Sequence, residues 1–230
     1  MLNLAAAALT FFALHRIVSG SHVRDRIVAL IGETSFRRVF ALASLACLTW
    51  LWVGFLSARA SPSNVRLFAP HATLAILQAP LQLSAFLLVV AGVTTRNPTI
   101  AGMAATVHDR DIVRGALRIS RHPFLWGITL FAAGHMLVDP SVAAWGFFGT
   151  LLVLASTGTL SIDVKRHRAL GDDWKAFAAA TSNVPFWAIA TGRQRLELGE
   201  IGWWRPLVGV ALYALLILAH PHLFGVSAVP

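Results

Sequence analysis

Apolar residues come in long runs along this chain, separated by short segments that hold nearly all of its charge. Six runs stand out: Leu2 to Val18, Val39 to Phe55, Ala72 to Val93, Phe124 to Leu137, Val142 to Leu160 and Leu207 to Phe224. A helix needs about 20 predominantly apolar residues, within a range of about 17 to 25, to cross a bilayer. The pattern predicts an all-α polytopic membrane protein with about six transmembrane helices in a single domain, 1–230. The fourth run is short, but His122-Pro123 can start it, because proline is tolerated in a first helical turn. Pro80 falls inside the third run and predicts a kink or an inner packing position. The first run has no basic leader and no small-residue cleavage site, so it is expected to be a retained helix and not a signal peptide.

Two connections carry their own periodicity. Between Val107 and Ile119 the apolar residues Ile112, Val113, Ala116, Leu117 and Ile119 interleave with Arg114 and Arg118. That spacing predicts an amphipathic cytoplasmic helix on the inner interface, or an extension of the fourth helix. The segment from Asp163 to Ala180 reads similarly, with Trp174 and Phe177 on one side and Lys165, Arg166, Arg168 and Lys175 elsewhere. Trp203 and Trp204 beside Arg205 predict an interfacial anchor for the last span.

Composition supports the membrane class. The chain is 57% apolar and 13% charged, whereas soluble domains carry about 25% charged residues. The net charge of +9 raises the question of nucleic acid, but no soluble basic domain exists to dock on a duplex. The basic residues instead mark orientation. Arg24, Arg26, Arg37 and Arg38 lie in the first connection, Arg96, Arg110, Arg114, Arg118 and Arg121 in the third, and Lys165, Arg166, Arg168, Lys175, Arg193, Arg195 and Arg205 in the fifth. Only Arg59 and Arg66 lie on the alternate side. This asymmetry predicts that those three connections face the cytoplasm and both termini face outward. The one cysteine, Cys47, rules out an intrachain disulfide, a Cys-ligated iron–sulfur cluster and a structural zinc site built on several cysteines.

Candidate chemistry starts from two intramembrane histidines, His15 and His135. A titratable ring in hydrocarbon is costly without a partner, so each is a functional candidate. Two neutral imidazoles from different helices can serve as axial ligands to a haem iron. The competing reading is helix packing with a hydrogen bond to a neighbour. Ala132, Ala133 and Gly134, just before His135, let another helix or a flat cofactor approach closely. Arg121 and His122 stand at the mouth of the fourth helix, where free N–H groups favour anions, or form a basic cap on a proline start. Asp163 is placed to pair with Arg121 or His122 across that mouth. Gln78 and Gln82, four apart, share one helix face and are expected to point into the bundle. His22, His71, His108, His167, His220 and His222 are expected at the surface.

Phe12-Ala13-Leu14-His15, Gly32-Glu33 followed by Arg37-Arg38, Arg121-His122-Pro123 leading to Gly127, and Gly134-His135 together resemble the NnrU family. That family comprises bacterial membrane proteins linked to nitrite and nitric oxide metabolism and is related to the plant zeta-carotene isomerase, a haem b enzyme. The resemblance implies haem b held by His15 and His135, and a further site histidine at His122, with Arg121 and His122 as the catalytic candidates. It also implies a multi-pass protein of the bacterial inner membrane acting in nitrogen-oxide metabolism or polyene isomerisation, with a hydrophobic small-molecule substrate drawn from the lipid bilayer. One departure is Ala132, where the isomerase carries a cysteine as an alternative ligand.

A second set of residues, Arg121-His122-Pro123-Phe124-Leu125-Trp126-Gly127 with Leu170 to Phe177 and Val184-Pro185, is similar to the isoprenylcysteine and phospholipid methyltransferases. This resemblance implies S-adenosylmethionine held by Arg121, His122 and an acidic pair, here reduced to Asp163. A third alternative is a non-enzymatic assembly factor for a membrane complex. These remain distinct hypotheses, since a shared fold does not transfer function.

Overall fold

The computed structural model describes residues 1–19, 22–69 and 72–228. The expectation for His71 lies outside them. Among the described residues the regular elements are helices, joined by turns and loops, with one isolated bridge between Arg66 and Ser141. Helix α1, Leu2–Ala13, continues as a π-helical turn over Leu14–Val18. Helices α2, His22–Ile31, and α3, Glu33–Arg59, follow. Gly32 separates them at φ 80°, a left-handed conformation that costs a glycine little. Glu33 in the first turn of α3 pairs with Arg24 at 2.7 Å and complements the helix dipole. Helix α4 spans Ala72–Thr94 and carries Pro80 inside it.

The third connection departs from expectation. The predicted amphipathic helix over 107–119 is reduced to a 3₁₀ turn, Ala104–His108, and a four-residue helix α5, Ala116–Ile119. The break falls at Gly115, with φ 54° and ψ −120°. The apolar spacing still finds a core, because Val107 and Leu117 pack with Trp174 and Phe177, and Ile112 and Val113 lie against them. Tertiary burial thus replaced helical continuity as the use of those residues. Helix α6, Pro123–Val138, opens on proline, whose missing N–H costs nothing at a first helical position. Helix α7 spans Val142–Ala180 with a break at Gly171 (φ 57°). Short helices α8, Trp187–Ala190, and α9, Leu198–Ile201, lead to α10, Trp204–Phe224, which ends on Gly225 at φ 70°.

Among the described residues, four helices are long and apolar enough to cross a membrane: α3, α4 from Ile76, α7 and α10. The bent pair formed by Leu2–Val18 and His22–Ile31 makes a fifth if counted as one span. Helix α6 is apolar but has 16 residues, about 24 Å at 1.5 Å per residue, short of a hydrocarbon core of about 30 Å. The six predicted runs all form helices, and among the described residues four or five have spanning length. Leu42, Leu45, Leu215 and Leu218 are 61–74% exposed on these helices, as expected of side chains facing acyl tails. The chain is a multi-pass membrane protein.

The chain groups into two compact units, 1–71 with 135–154, and 72–134 with 155–230. In the first, α1 packs on α3, where Gly54 lets the helices meet, since a Cβ there would lie 3.1 Å from Leu4 Cα. Buried Phe11, Leu51, Phe55, Phe147 and Phe148 form its interior, with Phe55 stacked on Phe147 at 4.9 Å. In the second, α10 packs on α4, and Gly127 of α6 meets α4, since a Cβ there would fall 2.9 Å from both Ala85 O and Val89 N.

Candidate functional site

The most developed polar arrangement lies in the second unit, around Arg121 and His122. Proline at 123 disfavours helix at the residue before it, and the chain is extended at Ser120 (φ −157°, ψ 146°). Backbone groups there lack helical partners, and a buried one must find another. Side chains supply them. Asn97 Nδ2 and Thr99 Oγ1 both donate to Arg121 O, at 2.9 and 3.2 Å. Arg121 N donates to Ser182 O at 2.9 Å, and His122 N donates to Ser120 Oγ at 3.0 Å. Ser120 Oγ in turn donates to Asn183 O at 2.6 Å.

The side chains converge on Asp163. Arg121 Nε donates to Asp163 Oδ1 at 3.0 Å and its Nη2 reaches Oδ2. His122 Nε2 lies 2.7 Å from Oδ1. Asn183 donates from Nδ2 to Asp163 Oδ2 at 3.3 Å, and its Oδ1 accepts from Trp126 Nε1. The expected pairing across the mouth of the fourth helix is therefore present, and both histidine and arginine share it. The side chains of Arg121, Asp163 and His122 are 13%, 17% and 0% exposed.

A carboxylate can only accept here, so His122 carries its proton on Nε2 and presents Nδ1 as the lone-pair nitrogen. Nδ1 is buried with no hydrogen-bond partner. Such an orphan costs about 1–3 kcal/mol. His122 lies ahead of α6, outside the membrane-spanning segments. Burial pushes its pKa below the ordinary imidazole value, opposed by its hydrogen bond to Asp163. A partly open cavity of about 220 Å³ adjoins the ring, walled by Asn97, Thr99, Ile100, Ala101, Phe124 and Ile162 among others. The pattern Asn97-Pro98-Thr99 was legible only as a turn. Its role, and that of Asn183, needs a partner far along the chain.

His15 and His135 both belong to the first unit. His15 sits in the π-helical turn, a rare form that recurs at functional sites. Its Nδ1 lies 3.0 Å from Phe11 O, and the ring packs on Phe11 at 4.5 Å and Phe40 at 5.3 Å. His135 stacks face to face on Phe148, with centroids 4.4 Å apart and planes 15° from parallel. Both rings are half-buried. The small residues before His135 serve packing at one position at least. A Cβ on Gly134 would meet Gln82 Nε2 at 2.5 Å and Gln78 Oε1 at 2.6 Å, so helix α4 fills that space. Gln82 donates to Phe131 O at 3.0 Å, and both glutamines point inward as expected. Among the described residues, no group of three or more His, Cys, Asp or Glu gathers to hold a metal ion.

The family model described as NnrU protein matches residues 3–228. The chain belongs to the NnrU family. This NnrU-family chain is also similar to a protein of Arabidopsis thaliana, "15-cis-zeta-carotene isomerase, chloroplastic", at 32% identity over 117 residues. The match takes in 49% of this chain and 32% of the plant protein, so the chain spans about a third of that curated relative's length. No solved structure matches this NnrU-family member.

For S-adenosylmethionine the arrangement is unfavourable. A sulfonium and an amine need carboxylate oxygens, and a carboxylate offers about four acceptor positions. Those of Asp163 are taken by Arg121, His122 and Asn183. Phe177, in the place of the methyltransferase tyrosine, is a buried core residue.

Proposed function

We propose that this NnrU-family membrane protein holds haem b between His15 and His135 and isomerises a polyene or a similar hydrophobic molecule taken from the bilayer. The observation that carries the reading is the hydrogen bond from His15 to Phe11 O. A carbonyl can only accept, so Nδ1 bears the proton and Nε2 carries the lone pair. A hydrogen bond of this kind, on the ring nitrogen away from the metal, sets tautomer and ring orientation in metal-ligating histidines. His135 is held flat by Phe148, and both imidazoles lie in one compact unit. His15 and His135 would be the residues that hold the haem, a task two imidazoles can meet without a larger cluster. When bound, the haem would supply a redox-active iron near a conjugated double bond. The chain's own part is to orient the two rings and to keep water away with Phe11, Phe40 and Phe148.

The name of the plant relative, a zeta-carotene isomerase, supports an isomerase reading. A role in nitrogen-oxide metabolism, residence in the bacterial inner membrane and outward-facing termini belong to the same proposal. The test is an absorption spectrum of detergent-purified protein from haem-replete cells, oxidised and then reduced. The wild type should show a Soret band. His15→Ala and His135→Ala should each lose or displace it, and exposed His222→Ala should keep it. A wild type with no Soret band, or both alanine variants with unchanged spectra, would overturn the assignment.

A further inference from the structure

We infer that the cavity beside His122 is a binding site for an apolar molecule carrying one hydroxyl, whose proton is accepted by His122 Nδ1. The inference lies within the second unit and does not depend on haem. Its starting point is an imbalance in an otherwise satisfied polar arrangement. Asn97 spends Nδ2 on Arg121 O and Oδ1 on Thr99 N, and Thr99 spends its hydroxyl proton on Arg121 O. Asp163 is fully engaged by Arg121, His122 and Asn183. His122 Nδ1 is the buried acceptor left over. Its tautomer is locked from the far side of the ring by Asp163, so it can take a donor and cannot give one.

The rest of the wall selects against water and ions. Ile100, Ala101, Phe124 and Ile162 contribute apolar surface. A buried water needs two to four polar partners, and Nδ1 is one. An anion would meet a lone pair, and a cation would meet no open carboxylate. A hydroxyl on an apolar body satisfies Nδ1 and the apolar wall together. The volume of about 220 Å³ is below the range of about 300–1,000 Å³ usual for drug-sized ligands. It therefore suits the hydroxyl-bearing end of a longer molecule, the remainder leaving through the open side. Nδ1 is buried before the ligand arrives, so binding requires the wall around His122 to shift.

The test uses the full-length protein in lipid nanodiscs with two photoreactive probes, an eight-carbon diazirine alcohol and its methyl ether. The ether keeps the apolar body and loses the donor. Crosslinks are mapped by mass spectrometry to the wall segments around Asn97 to Ala101 and His122 to Leu125. The wild type should be labelled saturably by the alcohol, at least tenfold more tightly than by the ether. His122→Lys keeps N–H donors for Asp163 and carries no acceptor, and should bring the alcohol down to the ether's level. Ala101→Trp fills the cavity from an exposed position, leaves the Asp163 pairing intact and should abolish labelling by both. Equal labelling of the wild type by alcohol and ether, or no saturable labelling of the wall, would overturn the inference without reference to any variant. Unchanged alcohol labelling in a folded His122→Lys protein would overturn it as well.

Discussion

Replacing Asp163 by alanine tests the central arrangement most directly. The aspartate joins α7 to the extended segment before α6, and its loss strands two groups at once. Arg121 would keep its charge at 13% side-chain exposure, and His122 Nε2 would lose its acceptor at 0%. Breaking a buried pair by removing one partner costs about 3–5 kcal/mol, because the remaining charge is uncompensated. A stability of about 5–15 kcal/mol is typical of a whole domain, so the loss would be a large fraction of it. Asp163→Asn should cost less, roughly 1.5–3 kcal/mol, since an amide oxygen can still accept from His122 while the charge-assisted bonds to Arg121 weaken. Reversible unfolding in mixed micelles would measure both. A double-mutant cycle with Arg121→Ala should return a coupling of at least about 1 kcal/mol. If Asp163→Ala costs under about 1 kcal/mol, the range of exposed ion pairs, the view of this cluster as a buried, mutually dependent unit is wrong.

Further outcomes follow from packing and charge elsewhere. Gly127→Ala should destabilise by about 1–3 kcal/mol through overpacking, because its Cβ would press on backbone atoms of Ala85 and Val89. Gly199→Ala meets nothing within 4 Å and should be near neutral in the same unfolding assay. Glu200 receives hydrogen bonds from Arg118 and from Gly115 N, and the Arg118 bond above all holds its pKa at about 2 against an ordinary 4.5. A carboxyl held low contributes stability above its unfolded pKa and loses it as pH falls toward the folded one. Unfolding stability should therefore drop between about pH 4.5 and pH 2, by on the order of 1 kcal/mol after allowance for partial exposure. Glu200→Gln should remove its share of that acid-side slope while lowering stability at pH 7, and an unchanged slope would refute the assignment. In the spectroscopic test, loss of the Soret band in His15→Ala with retention in His135→Ala would leave one ligand standing and require a different second one.

Much of the architecture was legible along the chain because a bilayer imposes a one-dimensional requirement. Length and apolarity alone mark a helix, and all six runs became helices. Asp163 was legible as a partner of Arg121 or His122 because a charge at a span's end has few places to go. Spanning length was harder to read. The helix from Pro123 stops at Val138, and the first run passes into a π-helical turn at Leu14, features set by local backbone geometry and not by apolar count. The segment 107–119 misled for a related reason. Its spacing is helical, but Gly115 breaks it and the apolar residues are buried one by one against Trp174 and Phe177. Asn97, Thr99 and Asn183 could not be found in advance, because a polar residue in a loop acquires a role only through a partner many positions away. The amino-acid order by itself determined the class, the helices and the residues able to carry chemistry, since each depends on neighbours within a few turns. The tertiary structure decided which of them meet. Only folding could close Arg121, His122 and Asp163 into one cluster, press His15 and His135 each against a phenylalanine, and leave His122 Nδ1 buried without a donor.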